Sequence, residues 1–115
     1  MGREIGYWLV KSEPATYSWD QFVKEKTTSW DGVRNYQARN NLKLMQLNDL
    51  VLFYHSVKEL SVMGIARVIK THYPDPSARD KTWVAVDLIA EDAFPKPVSL
   101  SEIKNDPRLE NIALV

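Results

Sequence analysis

The stretch from Trp30 to Met45, WDGVRNYQARNNLKLM, carries one Trp, two Arg, three Asn and a Gln before its apolar face is complete. A helix that needs only to pack is built more simply from Ala, Leu, Glu and Lys. Aromatic, amide and guanidinium groups crowded together suit recognition of a polar, flat or anionic ligand by stacking and hydrogen bonding. Gly32 suits a sharp turn, Asp31 or Asn35 can cap the helix that follows, and the N–H groups at its start favour an anion. Arg34 and Arg39 then either face phosphates or cap neighbouring carbonyls and pair with surface carboxylates.

Other chemistries are poorly supplied. Ser12, His55 and Ser56 exist, but no Gly-x-Ser-x-Gly elbow does, and the adjacent His55 and Ser56 point to opposite faces of a strand. His55 reads as a hydrogen-bonded strand histidine and His72 as exposed. Two isolated His and no Cys give no metal-ligand spacing, and the four glycines are too scattered for a phosphate loop or dinucleotide fingerprint. No catalysis, metal or cofactor is therefore expected. Of the four tryptophans, Trp8 and Trp19 read as core or staple residues, whereas Trp30 and Trp83 lie where irregular segments meet regular ones, a usual place for binding residues.

The elements that must position these groups can be read from periodicity and caps. YWLVKS (7–12) is a strand ended by Pro14. Ser18 and Gln21 have capping-box spacing and Tyr17 and Phe22 staple spacing, which predicts a short helix over 19–25. Ala38, Leu42 and Met45 fall on one face of a second helix, and Asn48-Asp49 reads as a turn. LVLFYH (50–55) and VMGIARVIKT (62–71) are strands of an antiparallel pair. YPDPSARDK is a loop, WVAVDLIA (83–90) a further strand, and FPKP breaks regularity. Ser99 and Glu102, with Val98 and Ile103 as staple, predict a last short helix from Leu100 that ends before Pro107. The expected class is α+β, a small mixed sheet or barrel with short flanking helices.

At 115 residues the chain is one domain, and a hydrophobic fraction of 44% with 26% charged residues is that of a globular protein. Lys plus Arg and Asp plus Glu number 15 each. With no net charge, any polyanion binding must come from a local patch. Residues 1–45 carry seven basic against five acidic side chains, and residues 91–115 three against five, so the basic end contains WDGVRN. No secretory signal or bilayer-length apolar run is visible. The chain reads as intracellular with no membrane partner: cytoplasmic in a prokaryote, nuclear in a eukaryote.

YWLVKSEP (7–14), WDGVRNYQARN (30–40), LVLFYHS (50–56), GIARV (64–68) and YPDP (73–76) together resemble the successive signatures of the EVE domain, in its order and spacing. The resemblance implies a PUA-like fold, a strongly curved β-barrel with packed helices, related to the YTH domains that read N6-methyladenosine. It implies no catalysis. The implied activity is nucleic-acid binding: reading a modified base in DNA or RNA, such as a methylated or hydroxymethylated cytosine, flipped into an aromatic cage. By analogy with the YTH pocket, Trp30 forms one wall and Trp83, or the loop before it, another. Asn35 and Ser12 read the base edge, Asp31 and Gln37 help or hold the turn, and Lys11, Arg34 and Arg39 contact phosphates. The alternative is a PUA-type RNA-binding accessory domain insensitive to base modification.

EVE domains usually continue with a further strand, a segment resembling RLSVQPV and a last helix, whereas this sequence stops at Val115 after LENIALV. The expectation is a C-terminally shortened domain with an open sheet edge, which invites pairing with a second copy of the chain.

Overall fold

LVLFYH has no alternation of polar and apolar residues, and a strand of that composition must be covered on both faces. The computed structural model, which describes residues 6–56, 60–99, 101, 102, 105, 113 and 114, puts it at the heart of the sheet. The strands are β1 (Tyr7–Ser12), β2 (Thr27–Trp30), β3 (Leu50–His55), β4 (Ser61–Pro74), β5 (Val84–Ser99) and β6 (Ala113–Leu114); the helices are α1 (Trp19–Glu25) and α2 (Tyr36–Leu44). All six strands form one sheet in the order β2-β5-β4-β3-β1-β6. β1 pairs in parallel with β3 and with β6, and the remaining pairs are antiparallel. This is the α+β mixed sheet with short helices that the pattern predicts.

Alternate residues of β3 serve two clusters. Val51 and Phe53 join Val10, Phe22, Leu42, Val68 and Val86 in the main core, while Leu52 and Tyr54 pack with Leu9 and Val62 on the other face. The helices close the main core. Ser18 Oγ accepts the Gln21 N–H at 3.1 Å, and the Tyr17 and Phe22 rings meet at 6.1 Å, as the cap and staple spacing predicts. Asn35 Oδ1 caps α2 by accepting the Ala38 N–H at 2.9 Å. His55 Nε2 accepts the Trp19 N–H at 3.0 Å, which ties the first residue of α1 to the end of β3.

The sheet is strongly curved. β1 and β2 stand four places apart in its order, yet Ser12 at the end of β1 and Trp30 at the end of β2 line one cavity, and the Trp30 ring lies 5.7 Å from Phe53 of β3. Bulges supply the bend. Phe53 pairs with Gly64 and Tyr54 with Val62, so Met63 is the extra residue of β4.

Several boundaries depart from the sequence reading. β2 was not foreseen: four residues form a strand only because β5 offers Val86–Ile89 as a partner. β4 runs on through Tyr73 and Pro74, which the sequence assigns to a loop; this end of β4 pairs with β5 alone, so a proline with no N–H to offer is tolerated. β5 likewise continues through FPKP. Between the pairs Gly64↔Ala93 and Val62↔Val98, β5 advances five residues while β4 advances two, so its prolines sit in a bulge. Glu102 N–H donates to Ser99 Oγ at 3.2 Å and Asn105 N–H to the Ser101 carbonyl at 3.1 Å, as the last predicted helix requires; its residues 100, 103, 104 and 106 lie outside the described residues.

The Trp19 ring lies directly on Gly64. A Cβ there would come within 2.3 Å of Trp19 Cζ2 and 2.7 Å of the Asp92 carbonyl oxygen. Backbone cannot step aside as a flexible side-chain end can. Gly64→Ala should therefore destabilise the protein by roughly 1–3 kcal/mol or more, measured by urea denaturation. A variant as stable as the parent would show that α1 can lift off the bulge at no cost.

Candidate functional site

β2 is an edge strand, and at its end the chain turns away through Asp31 and Gly32, the latter at φ 78°. Between this turn and the segment that follows β1 lies a cavity of about 360 Å³ lined by Ser12, Thr16, Tyr17, Thr28, Ser29, Trp30 and Asp31. Trp30 is half-buried. Its ring meets Tyr17 edge-on at 6.3 Å and Phe53 at 5.7 Å, so the indole is braced from behind by the core. The volume would hold one planar heterocycle with space to spare.

Hydrogen bonds fix the rim. Ser12 Oγ donates to the Tyr17 carbonyl at 2.5 Å, and the Tyr17 phenol donates to Glu25 Oε1 at 2.6 Å. Burial, reinforced by the Glu25 carboxylate, pushes the Tyr17 phenol up to about 12, so it stays protonated at any physiological pH. Ser29 Oγ donates to Asp87 Oδ1 at 3.0 Å.

The turn itself is held by Asp75, a carboxylate in YPDP that is 3% exposed. Asp75 accepts from the Gly32 N–H at 2.8 Å, Arg34 Nη1 at 3.0 Å, the Ser77 N–H at 2.7 Å and Ser77 Oγ at 2.6 Å. Thus WDGVRN and YPDP, 43 residues apart at the Gly32–Asp75 contact, form a single unit. Burial alone would raise the Asp75 pKa. The bonds from the Ser77 hydroxyl, the Gly32 and Ser77 N–H groups and Arg34 outweigh it and bring the carboxyl down to about 2.

Of the residues singled out in the sequence, the structure brings Trp30, Ser12 and Asp31 together on the cavity. Asn35 commits its side-chain oxygen to capping α2, and Gln37 is exposed in that helix. Trp83 does not line the cavity. It stacks on Tyr36 at 5.0 Å and 29°, with the Arg34 guanidinium 5.7 Å over its ring and the Arg39 guanidinium 5.0 Å over the ring of Tyr36. Between the two readings of Arg34, the carboxylate pair is the one formed. Arg39 lies along α2 with Nη2 on Asn40 Oδ1 at 2.8 Å, and Lys11 is exposed on β1. The sequence reading missed Thr16, Thr28 and Ser29 as lining residues and took Tyr17 only as a staple. No local signal marks them, because the strand that presents Thr28 and Ser29 depends on a partner far along the chain.

Among the described residues no cluster of His, Asp or Glu could hold a metal ion, and no helix is long and apolar enough to cross a membrane.

A mixed sheet curled until its first two strands share a cavity, with an aromatic wall and a polar rim, defines an α+β domain of the PUA-like type. The chain belongs to the EVE domain family, whose profile matches residues 6–115. Thymocyte nuclear protein 1 of Rattus norvegicus is 36% identical over 124 residues, which covers 85% of this chain and 55% of that protein. The chain spans about half the length of the curated relatives it matches. A crystal structure of a protein from Agrobacterium tumefaciens is 46% identical with a TM-score of 0.81, over 90% of this chain and 73% of that one. Human THYN1, crystallised in complex with 5-methylcytosine-containing DNA, is 33% identical with a TM-score of 0.74, over 85% of this chain and 72% of that one.

The Asp75 pKa sets an expectation for acid stability. Its folded-state value lies below the ordinary 3.8, so the folded protein holds this proton more weakly than the unfolded chain does. The stabilisation is complete above about pH 4 and drains away as the pH falls towards 2. Asp75→Asn should cost about 2 kcal/mol at pH 7 and flatten the loss of stability between pH 4 and 2, read from urea midpoints across that range. An unchanged acid limb would mean that Asp75 does not carry it.

Proposed function

We propose that this chain binds nucleic acid and reads a modified base, such as a methylated or hydroxymethylated cytosine, flipped into the cavity against Trp30. The carrying observation is that Trp30, Ser12 and Asp31 converge on one base-sized cavity at an open sheet edge. The human relative crystallised with 5-methylcytosine-containing DNA supports the ligand class.

The energetics suit this reading. Extruding a base from the stack costs a few kcal/mol, and stacking on an aromatic side chain returns roughly 1–3 kcal/mol per base. Trp30 alone approximately offsets extrusion and leaves selection to the rim. Burying one methyl group contributes about 0.8 kcal/mol, a preference of about fourfold, so a larger preference for the modified base needs close fit around the methyl as well. A methylated cytosine is uncharged, so desolvation and shape favour it, not cation–π attraction.

In this reading the cations that meet phosphates are Lys11, exposed on β1 next to Ser12, and Arg39, which lies on α2 over the Tyr36 ring. Arg34 shares its charge with Asp75 and acts mainly to hold the turn. The Arg34–Trp83–Tyr36–Arg39 stack adjoins that turn and gives the strand flanking the base a rigid aromatic and basic surface. Asn35 and Gln37 belong to this supporting shell at the start of α2.

Fluorescence anisotropy at one fixed salt concentration tests the reading, with oligonucleotides that differ only in cytosine, 5-methylcytosine, 5-hydroxymethylcytosine, adenine or N6-methyladenine, as DNA and as RNA. One modified base should bind in preference to its parent. Trp30→Ala should remain folded, lose about 1–3 kcal/mol of stability through its contacts with Tyr17 and Phe53, and bind at least tenfold more weakly. Trp30→Phe, which keeps a smaller stacking face, should fall between. Folded Trp30→Ala that binds like the parent would sink the reading, and uniform binding to every base would favour a PUA-type RNA-binding domain indifferent to modification.

A further inference from the structure

The hydroxyl protons around the cavity are already committed. Ser12 Oγ donates to the Tyr17 carbonyl, the Tyr17 phenol to Glu25 and Ser29 Oγ to Asp87. A hydroxyl has one proton and two lone pairs. With its proton turned into the protein, the Ser12 oxygen meets an incoming molecule as an acceptor. Asp31, exposed at the rim, adds carboxylate oxygens, which are acceptors.

Resting on the modified-base reading above, we infer that the cavity takes a base presenting an exocyclic amino group, as cytosine and 5-methylcytosine do at N4 and adenine does at N6, and rejects thymine and uracil. Thymine and 5-methylcytosine share the ring outline and the 5-methyl group, so neither stacking on Trp30 nor fit around the methyl can separate them. They differ in hydrogen-bond direction. The N4 amino group of 5-methylcytosine donates, whereas O4 of thymine accepts and N3 carries a proton. Against the acceptors Ser12 and Asp31, the two N–H bonds of an N4 amino group can serve both, whereas thymine has a single donor at N3 and its O4 would set lone pair against lone pair. An acceptor left unpaired in a partly desolvated site carries its full desolvation cost.

The discrimination is thus held by Ser12 and Asp31, with the Ser12 proton fixed by the Tyr17 carbonyl. Glu25 and Asp87 do not line the cavity, yet they fix which way the Tyr17 and Ser29 protons point.

The test uses the intact chain and one oligonucleotide sequence with 5-methylcytosine, cytosine, thymine or 5-methyl-2-pyrimidinone at a single position, followed by anisotropy. The last of these keeps the ring and the methyl group but has no amino group. 5-Methylcytosine should bind about tenfold or more tightly than either thymine or the pyrimidinone. Asp31→Asn, whose carboxamide can donate as well as accept, should narrow the gap to thymine several-fold with an unchanged melting temperature; an unaltered gap would overturn the part assigned to Asp31. Thymine bound as tightly as 5-methylcytosine, with both above cytosine, would overturn the inference and leave the modified-base reading standing. Binding to none of the four would take down both.

Discussion

The contact between the buried Asp75 carboxylate and the Gly32 N–H fixes where β2 ends and hence where Trp30 stands. Taking a carboxylate out of water costs several kcal/mol unless donors replace its hydration. Here two backbone N–H groups, a hydroxyl and a guanidinium do so. The turn after Trp30 has little else to hold it: Gly32 has open space around it, and β2 contributes four residues at the edge of the sheet. Without Asp75 the indole would still have Tyr17 and Phe53 behind it, but the rim beside it would have no fixed path. The Arg34 guanidinium that completes the carboxylate shell also lies over Trp83, so the same bond that sets the cavity wall anchors the aromatic stack beside it.

Curvature is the second condition. In a flat sheet β1 and β2 would be separated by three strands, and Ser12 could not share a cavity with Trp30. One irregularity lies where β4 carries its extra residue, Met63, and β5 runs through FPKP, and both pairings shift register there. Gly64 sits at this irregularity because the Trp19 ring and the Asp92 carbonyl leave no room for a Cβ. Trp19 in turn starts α1, whose far end supplies Glu25 to the Tyr17 phenol. A glycine in β4 is therefore connected through one helix to the polar rim of a cavity on another part of the sheet.

These dependencies explain what was legible in the sequence. α1 and α2 could be read because Ser18 and Asn35 signal their starts within a few residues, and β3 because its apolar run is unbroken. β2 could not be read, since TTSW has strand character but no length, and its partner lies some 60 residues on. The extensions of β4 and β5 were hidden by prolines, which end strands in general but are harmless at a two-stranded end or inside a bulge. At the site, Trp30, Ser12 and Asp31 stand out by type and position, while Thr28 and Ser29 are ordinary residues made significant by the fold. Asn35 and Trp83 show the reverse: the features that suggest base recognition, an amide at a helix start and an indole at the junction of a loop and a strand, equally serve a cap and a stack, and composition alone does not separate the two uses.

The carboxylates have a shared role that residue types do not announce. Asp75, Glu25 and Asp87 are each acceptors for groups at or beside the cavity: the Gly32 N–H, the Tyr17 phenol and the Ser29 hydroxyl. A hydroxyl is ambiguous until something takes its proton, and a carboxylate is the strongest neutral-pH acceptor a protein has. The Tyr17 phenol, held neutral up to about pH 12, donates to Glu25 without becoming charged itself. The hydrogen-bond character of the cavity is thus set partly by groups behind its lining, the Tyr17 carbonyl taking the Ser12 proton and Glu25 the Tyr17 proton, and a serine at the rim has a defined polarity only because of where its proton has gone.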